Sequence, residues 1–137
     1  MKVLLSIKPE YANKILSGEK RFEFRKVSFT NGGVRTVVIY ATKPIGKVIG
    51  EFEVLDIYSD SPSNIWERTK KHAGIEKDFF DSYYQGKKVA VAIAVGEVQR
   101  YKKPMELSEL GGSLTAPQSF RYMEASEGRR QNELELV

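Results

Sequence analysis

The chain has 137 residues, 41% of them hydrophobic and 29% charged, which predicts one folded domain rather than a disordered chain or two full domains. With no cysteine and a single histidine, it lacks the residues of a disulfide framework, a thiolate metal site or a cysteine nucleophile, so we expect neither a metal nor a cofactor. The net charge is +4, and the segment 123–137 holds four glutamates and two arginines, which leaves +6 on residues 1–122. A basic body of this kind favours polyanionic partners such as nucleic acid or nucleotides.

The apolar runs of the chain are short. None reaches the roughly 20 residues that span a bilayer, and the N-terminal stretch has no apolar core of signal-peptide length. The sequence therefore predicts a soluble, cytoplasmic protein with no membrane partner. We expect one domain over residues 1–123, followed by a polar and mobile tail over residues 124–137.

The first part of the chain predicts a strand, a short helix and a second strand. The apolar run Lys2–Lys8 has strand character, and Pro9 stands where a first helical turn begins. This helix is expected to end at Gly18. In the strand that follows, Phe22 and Phe24 should point inward and the charged residues between them outward.

Two strands and two helices come next. After a turn at residues 31–33, the segments Thr36–Pro44 and Gly46–Tyr58 are rich in β-branched residues, and Gly50 within the second predicts a bulge or a close approach of backbone. The sequence SPSNIWERTKKHAG predicts a capped helix that ends at Gly74, and EKDFFDSYYQG predicts another short helix.

The last part of the body predicts a strand over Lys87–Tyr101 that is buried on both faces, then a helical turn and an extended segment that reaches Met123. Strands and helices do not alternate regularly along the chain. This order predicts an α+β fold, a small curved β-barrel of about five to six strands with short helices in the connections.

The stretch GEKRFEFR, residues 18–25, carries the candidate chemistry. Lys20 is able to pair with a phosphate, or to act as a base if desolvation lowers its pKa. Glu23 is able to orient a water or to accept a hydrogen bond from a nucleobase amine, and Arg25 is suited to clamp a phosphate with two hydrogen bonds. The alternative is a row of exposed ion pairs formed by Arg21, Glu23 and Arg25.

The spacing of two of these residues conflicts with a regular strand. Lys20 and Glu23 are three positions apart, so in an unbroken strand their side chains face opposite sides. We therefore expect Lys20 to lie before the strand, or a bulge to separate the two residues. Gly18, two positions before Lys20, favours such a departure.

The octapeptide has the form G-x-K-x-x-E-x-R, and with the segments LLSIKPEYANKILSG, IYATKPIGKVIGEFEV, YYQGKKVAVAIAVGEV and APQSFRYM it resembles the ASCH domain, a PUA-like β-barrel family. The resemblance covers most of residues 1–123. It implies a barrel whose charged motif lines a cleft suited to RNA, single-stranded nucleic acid or a nucleotide, with a role in RNA-linked regulation. The residues expected to form or flank this cleft are Lys8, Lys20, Glu23, Arg25, Tyr40, Lys43, Gln118 and Ser119.

The resemblance also leaves enzymatic alternatives open, because some ASCH proteins are hydrolases. Lys20 and Glu23 would then be catalytic, either in a ribonuclease or in an N4-acylcytidine nucleoside amidohydrolase. The amidohydrolase members carry a lysine at the position of Lys20 but a threonine at that of Glu23, and a carboxylate does not supply the same nucleophile. A regulatory module that binds a protein partner is a third alternative.

Overall fold

The computed structural model describes residues 1–110, 117 and 120–123. The predicted tail at 124–137 and the candidate site residues Gln118 and Ser119 lie outside these ranges. The strands are β1 (Lys2–Ile7), β2 (Phe22–Arg25), β3 (Thr36–Ala41), β4 (Lys47–Asp60), β5 (Ala90–Met105) and β6 (Phe120–Met123). The helices are α1 (Pro9–Leu16), α2 (Pro62–Thr69) and α3 (Lys77–Tyr83), with short 3₁₀ turns at Lys70–His72 and Leu107–Leu110. No helix in the described part of the chain is long and apolar enough to cross a membrane.

The predicted strands and helices are confirmed, and the local signals act as expected at their ends. Gly18 follows α1 in the left-handed conformation, at φ +88°. The side chain of Ser61 caps α2 by accepting a hydrogen bond from the backbone N–H of Asn64 at 3.3 Å.

Two elements differ in their bounds. α2 ends at Thr69, before a 3₁₀ turn, and not at Gly74. β5 begins at Ala90 and continues past Tyr101 to Met105, which pairs with Val48 and is buried. Burial of Met105 outweighs the turn signal of the neighbouring proline. Only the first part of β5, 90–95, is buried at every position, so the expectation of a strand buried on both faces is wrong for 96–100.

The six strands form one sheet in the order β2-β5-β4-β3-β1-β6. β1 and β3 run parallel, and the other neighbours run antiparallel. The two long strands β4 and β5 form the centre, and the short strand β2 lies at one edge. The predicted α+β class is therefore confirmed.

Side chains from the two faces of the sheet enter different hydrophobic cores. Along β3, Val37 and Ile39 belong to the main core with α1, whereas Val38 and Tyr40 belong to a second core on the opposite face. This alternation is the two-residue period of a strand with both faces covered. A third core lies where α2 and α3 pack on β2 and on the start of β5.

The two edges of the sheet approach each other. From β2, the guanidinium of Arg25 donates a hydrogen bond to the carbonyl of Ser6 in β1, at 3.3 Å. Just after β2, the rings of Phe29 and Phe120 lie 5.9 Å apart, and the hydroxyl of Tyr122 accepts hydrogen bonds from the backbone after Phe29. The sheet is therefore curved, while its closure into a barrel stays a prediction.

Gly50 lies where α1 crosses the sheet most closely. A Cβ atom at this position would lie 2.7 Å from the carbonyl oxygen of Gln99 and 2.8 Å from a methyl group of Leu16. The strand register also shifts between Val48 and Gly50. The sequence-based expectation of a bulge or close backbone approach is confirmed.

We predict that Gly50→Ala lowers the free energy of unfolding by about 1–3 kcal/mol, because the new methyl group overpacks the contact between α1 and the sheet. Urea denaturation followed by circular dichroism measures this change. Gly32→Ala is the control, since a Cβ atom there meets nothing within 4 Å. The control should change stability by less than about 0.5 kcal/mol, and equal effects of both variants would contradict the packing argument.

Candidate functional site

A cavity of about 260 Å³ opens between β1, α1, β2 and α3. Its walls combine charged, aromatic and small side chains. They are Ser6, Ile7, Lys8, Tyr11, Lys20, Glu23, Phe24, Arg25, Ile75, Phe79 and Tyr83. The structure therefore brings together four of the predicted site residues, Lys8, Lys20, Glu23 and Arg25.

Lys20 enters the cavity because it lies in the connection before β2. After Gly18 ends α1, the backbone N–H of Lys20 donates to the carbonyl of Lys14, and that of Arg21 donates to His72, both at 2.9 Å. Regular pairing in β2 begins only at Phe22. Lys20 is thus freed from the strand's alternation, and its side chain reaches the same cavity as Glu23, as the spacing argument required.

The Lys20 side chain is 2% exposed. Its ammonium donates a hydrogen bond of 2.7 Å to the carbonyl of Ala73 and lies 4.6 Å from the centre of the Phe24 ring. Burial lowers the pKa of Lys20 to about 8, while the charge of Glu23 acts in the opposite direction. A large fraction of Lys20 is therefore neutral slightly above physiological pH.

Gly74 holds the Lys20 stem in place. Its backbone lies at φ +71°, and a Cβ atom there would lie 2.5 Å from both Cβ and Cγ of Lys20. Because no side chain intervenes, the segment 73–74 closes directly over the lysine. This contact and the hydrogen bond to Ala73 fix the position of the ammonium.

Glu23 and Arg25 form an ion pair inside the cavity, with Oε2 of Glu23 3.2 Å from Nη1 of Arg25. Glu23 is 6% exposed, so the expectation that it points outward in a row of exposed ion pairs is wrong. The sheet curves until β1 covers this face of β2, and Arg25 reaches the carbonyl of Ser6 across the gap. One face of β2 therefore packs on α3, and the other lines the cavity.

Three aromatic rings form one side of the cavity. The rings of Tyr11 and Phe79 lie 5.6 Å apart, and those of Phe79 and Tyr83 are nearly parallel at 6.3 Å. Two exposed lysines flank this aromatic wall, with the ammonium of Lys8 5.7 Å from the Phe79 ring and that of Lys26 4.8 Å from the Tyr83 ring. Partly exposed rings with nearby cations are suited to stack a planar base and to pair with the phosphate of its nucleotide.

Helix α3, which carries Phe79 and Tyr83 of the wall, is held on β2 by the side chains on its other side. The ring of Phe80 packs on Phe24 at 5.2 Å. The hydroxyl of Tyr84 lies 2.8 Å from the carbonyl of Arg25, to which it donates. These contacts bury one side of α3 and leave Phe79 38% exposed at the cavity.

The remaining predicted residues lie elsewhere. Tyr40 does not line the cavity but is buried in the second core, because the alternation of β3 directs it to the opposite face. Lys43 is exposed in the turn after β3, also outside the cavity wall. The Oγ of Ser6 donates to the carbonyl of Pro117 at 2.6 Å, which brings the segment before Gln118 to the cavity.

The aromatic wall was missed in the sequence, although a signal for it exists. Tyr11 lies at helical spacing with Ile15, which suggested a core residue. The segment FFDSYY, residues 79–84, contains four aromatic residues, more than one face of a short helix can bury. Such an excess indicates rings on a second surface. No group of three or more His, Cys, Asp or Glu residues suited to a metal ion occurs in the described part of the chain.

Comparison with known proteins places these features in a family. The ASCH domain model matches residues 5–110. Large ribosomal subunit protein uL22 of Ureaplasma parvum serovar 3 is 32% identical over 122 residues, which is 88% of this chain but 39% of that protein. An ASCH domain-containing ribonuclease of Zymomonas mobilis subsp. mobilis is 27% identical over 130 residues, covering 93% of this chain and 87% of the ribonuclease. The chain thus spans about two fifths of the uL22 protein and most of the ribonuclease.

Solved structures agree with this assignment. The crystal structure of ASCH from Zymomonas mobilis has a TM-score of 0.91 and 26% identity, covering 97% of this chain and 94% of that one. The N-terminal domain of Staphylothermus marinus McrB, at a TM-score of 0.63 and 10% identity, covers 96% of this chain and 93% of its own and shares the fold alone. Because the ASCH domain model matches residues 5–110, more than half of the chain, the chain belongs to the ASCH domain family.

Proposed function

We propose that this chain binds RNA by taking one nucleotide of a single strand into the cavity, as part of RNA-linked regulation. The observation that carries the proposal is the aromatic wall of Tyr11, Phe79 and Tyr83, with Lys8 beside Phe79 and Lys26 beside Tyr83. The wall shares the cavity with a charged floor, the side chains of Lys20, Glu23 and Arg25. Stacking on such rings tolerates any base, and the lysines supply the phosphate contacts. Two relatives support an RNA partner by their names, a ribosomal protein and a ribonuclease.

The charges favour one orientation of the nucleotide. Lys8 and Lys26 are exposed at the aromatic wall, whereas Glu23 is buried beside Arg25. A phosphate is attracted to the exposed lysines and repelled by the Glu23 carboxylate. For binding alone, the base therefore enters the cavity and the backbone stays at its mouth. Cleavage requires a second orientation, in which the ribose 2′-hydroxyl and the phosphate reach Lys20 and Arg25.

A second function, cleavage of the bound RNA, is favoured by Lys20. Its burial and lowered pKa provide a neutral amine near pH 8, which is able to act as a general base. In this reaction Nζ of Lys20 takes the proton of the ribose 2′-hydroxyl as a bond forms between O2′ and phosphorus. The bond from phosphorus to O5′ breaks, and the leaving oxygen takes a proton from water. Arg25 is suited to stabilise the charge on the phosphoryl oxygens.

The same lysine would serve a deacylase of N4-acylcytidine, but Glu23 stands where those family members carry threonine. A carboxylate is not a substitute for that hydroxyl nucleophile. RNA binding with cleavage gives a role to more of the side chains that line the cavity than deacylation does. Incubation with N4-acetylcytidine, followed by chromatography, separates the two activities.

We predict that replacing Lys8 and Lys26 together by alanine weakens binding to a single-stranded RNA about tenfold and lowers the salt slope by about one to two units. Both lysines are expected to contact phosphates, and fluorescence anisotropy at several salt concentrations measures the slope. The matched control replaces Lys102 and Lys103, two exposed lysines of β5 that lie outside the cavity wall. Both double variants lose the same net charge, so an equal loss of affinity would contradict a site at the cavity.

We predict that RNA cleavage, where present, rises with pH up to about 8 and levels off above it, because the base is the neutral form of Lys20. Lys20→Met should abolish cleavage. A 2′-deoxy substitution at the scissile position should do the same, and wild-type product should carry a 2′,3′-cyclic phosphate. A rate that is independent of pH between 6 and 9, or cleavage by the variant, would rule out this role.

The titration of Lys20 also affects folding. The folded chain releases the proton near pH 8 and the unfolded chain near the ordinary value of 10.5, so between these values the unfolded chain binds more protons. The free energy of unfolding of the wild type should therefore rise between pH 8 and 10.5 relative to that of Lys20→Met. Urea denaturation at both ends of this interval measures the difference, and a constant difference would contradict the lowered pKa.

We predict that Gly74→Ala impairs RNA binding or cleavage, because the new methyl group displaces the Lys20 stem. Gly86→Ala is the matched control: it has a similar left-handed backbone, at φ +78°, but a Cβ atom there meets nothing within 4 Å. Both variants should lose about 1–2 kcal/mol of stability from backbone strain. Only Gly74→Ala should lose function, and full function in both would show that the position of Lys20 is unimportant.

A further inference from the structure

We infer that Glu23 selects the base: the cavity prefers a nucleobase with an exocyclic amine and, among pyrimidines, binds cytosine in preference to uracil. This inference rests on the proposed RNA binding and adds the chemistry of the nucleotide to it. It is carried by the one carboxylate among the described residues that line the cavity, and by the contacts of its two oxygens.

The two oxygens of Glu23 have different surroundings. Oε2 lies 3.2 Å from Nη1 of Arg25. Within the part of the chain that the structure describes, Oε1 accepts no hydrogen bond, and Glu23 has no further partner beyond it. The Lys20 ammonium donates instead to the carbonyl of Ala73. Glu23 thus presents one unpartnered acceptor in a cavity where it is 6% exposed.

An unpaired carboxylate oxygen favours ligands that supply a hydrogen-bond donor to it over ligands that do not. A buried carboxylate oxygen that loses water and gains no donor is strongly unfavourable, whereas a hydrogen bond to a charged acceptor is among the strongest. The 4-amino group of cytosine supplies N–H donors, and uracil carries a carbonyl oxygen at that position. The single N–H of the uracil base edge stands between two carbonyl oxygens, which the carboxylate repels.

The aromatic wall favours a base rather than another part of the nucleotide at Glu23. The rings of Phe79 and Tyr83 are nearly parallel, so a base is able to continue their stack. In the binding orientation proposed above, the phosphate lies at the exposed lysines Lys8 and Lys26, away from the Glu23 carboxylate. The cavity volume of about 260 Å³ lies just below the usual range of about 300–1,000 Å³ for small-molecule sites, which suits one base. A hydrogen bond from a ribose hydroxyl to Oε1 is the remaining rival, and it would give no base preference.

The first experiment changes only the ligand. Three RNA pentamers, of cytidine, uridine and pyrimidin-2-one riboside, are compared by fluorescence anisotropy with the wild-type protein at pH 7.5. The third has hydrogen in place of the cytosine amine. We expect the cytidine pentamer to bind about tenfold more tightly than either of the others, which is the loss of one hydrogen bond to a charged acceptor. Equal affinities that still fall with salt would overturn the base selection and leave the proposed RNA binding intact. No binding of any pentamer would refute both.

The second experiment changes Glu23 to Gln. An amide offers an oxygen or an NH₂ group to the ligand, so the preference for cytidine over uridine should fall to within about twofold. Glu51→Gln is the matched control, because Glu51 is also a largely buried glutamate in an ion pair, with Lys2 at 3.3 Å, but lies outside the cavity wall. It should keep the full preference.

An equal loss of affinity for all three pentamers in Glu23→Gln would show that Glu23 only positions its neighbours, and would overturn the inference. A preference for uridine in the wild type would overturn it as well. Circular dichroism checks the fold of both variants. If Glu23→Gln does not fold, the ligand series on the wild type decides alone.

Discussion

Burial of the Lys20 ammonium is the constraint on which the site depends. A charged side chain removed from water is unfavourable unless polar groups replace the water, and the compensation here is a carbonyl at 2.7 Å, an aromatic ring and a nearby carboxylate. The carbonyl belongs to Ala73, which lies between α2 and α3. The lysine therefore links the position of the helical segment to that of β2, and only a glycine at position 74 leaves room for this contact. The lowered pKa of Lys20 is the physical consequence of incomplete compensation.

The charged floor and the aromatic wall are held in place in different ways because they belong to different elements. Lys20, Glu23 and Arg25 come from β2 and the connection before it, which the sheet holds rigidly through pairing with β5. The wall comes from α1 and α3, which are held by side-chain contacts. The side chains proposed for catalysis thus lie on the strand and the connection before it, and the rings proposed to stack a base lie on the helices.

The sequence predicted most of the fold because its local signals and its apolar pattern agree. Gly18, Ser61 and Gly50 each act in the structure as their types suggest. The wrong predictions concern strands for which the sequence does not show which of the two faces lines the cavity. Tyr40 and Glu23 both lie on strands whose two faces are covered, so alternation shows which residues share a face but not which face the cavity occupies. That choice is set by sheet curvature and by the helices packed on each side, which are long-range properties.

The comparison with distant relatives shows that the fold is shared by chains whose side chains differ at most positions. A domain at 10% identity retains the fold, so the sheet and its helices do not require most of the residues of this chain. The proposed chemistry depends on a few side chains around the cavity, and Glu23 is the one that separates deacylation from the proposed binding of a base. A hydroxyl at this position would be a nucleophile, whereas the carboxylate of this chain is an acceptor and an anion. Among the described residues, Arg25 is paired with one oxygen of Glu23, and we propose that the other accepts from a ligand. The residue that weighs against deacylation is therefore the one proposed to recognise a base.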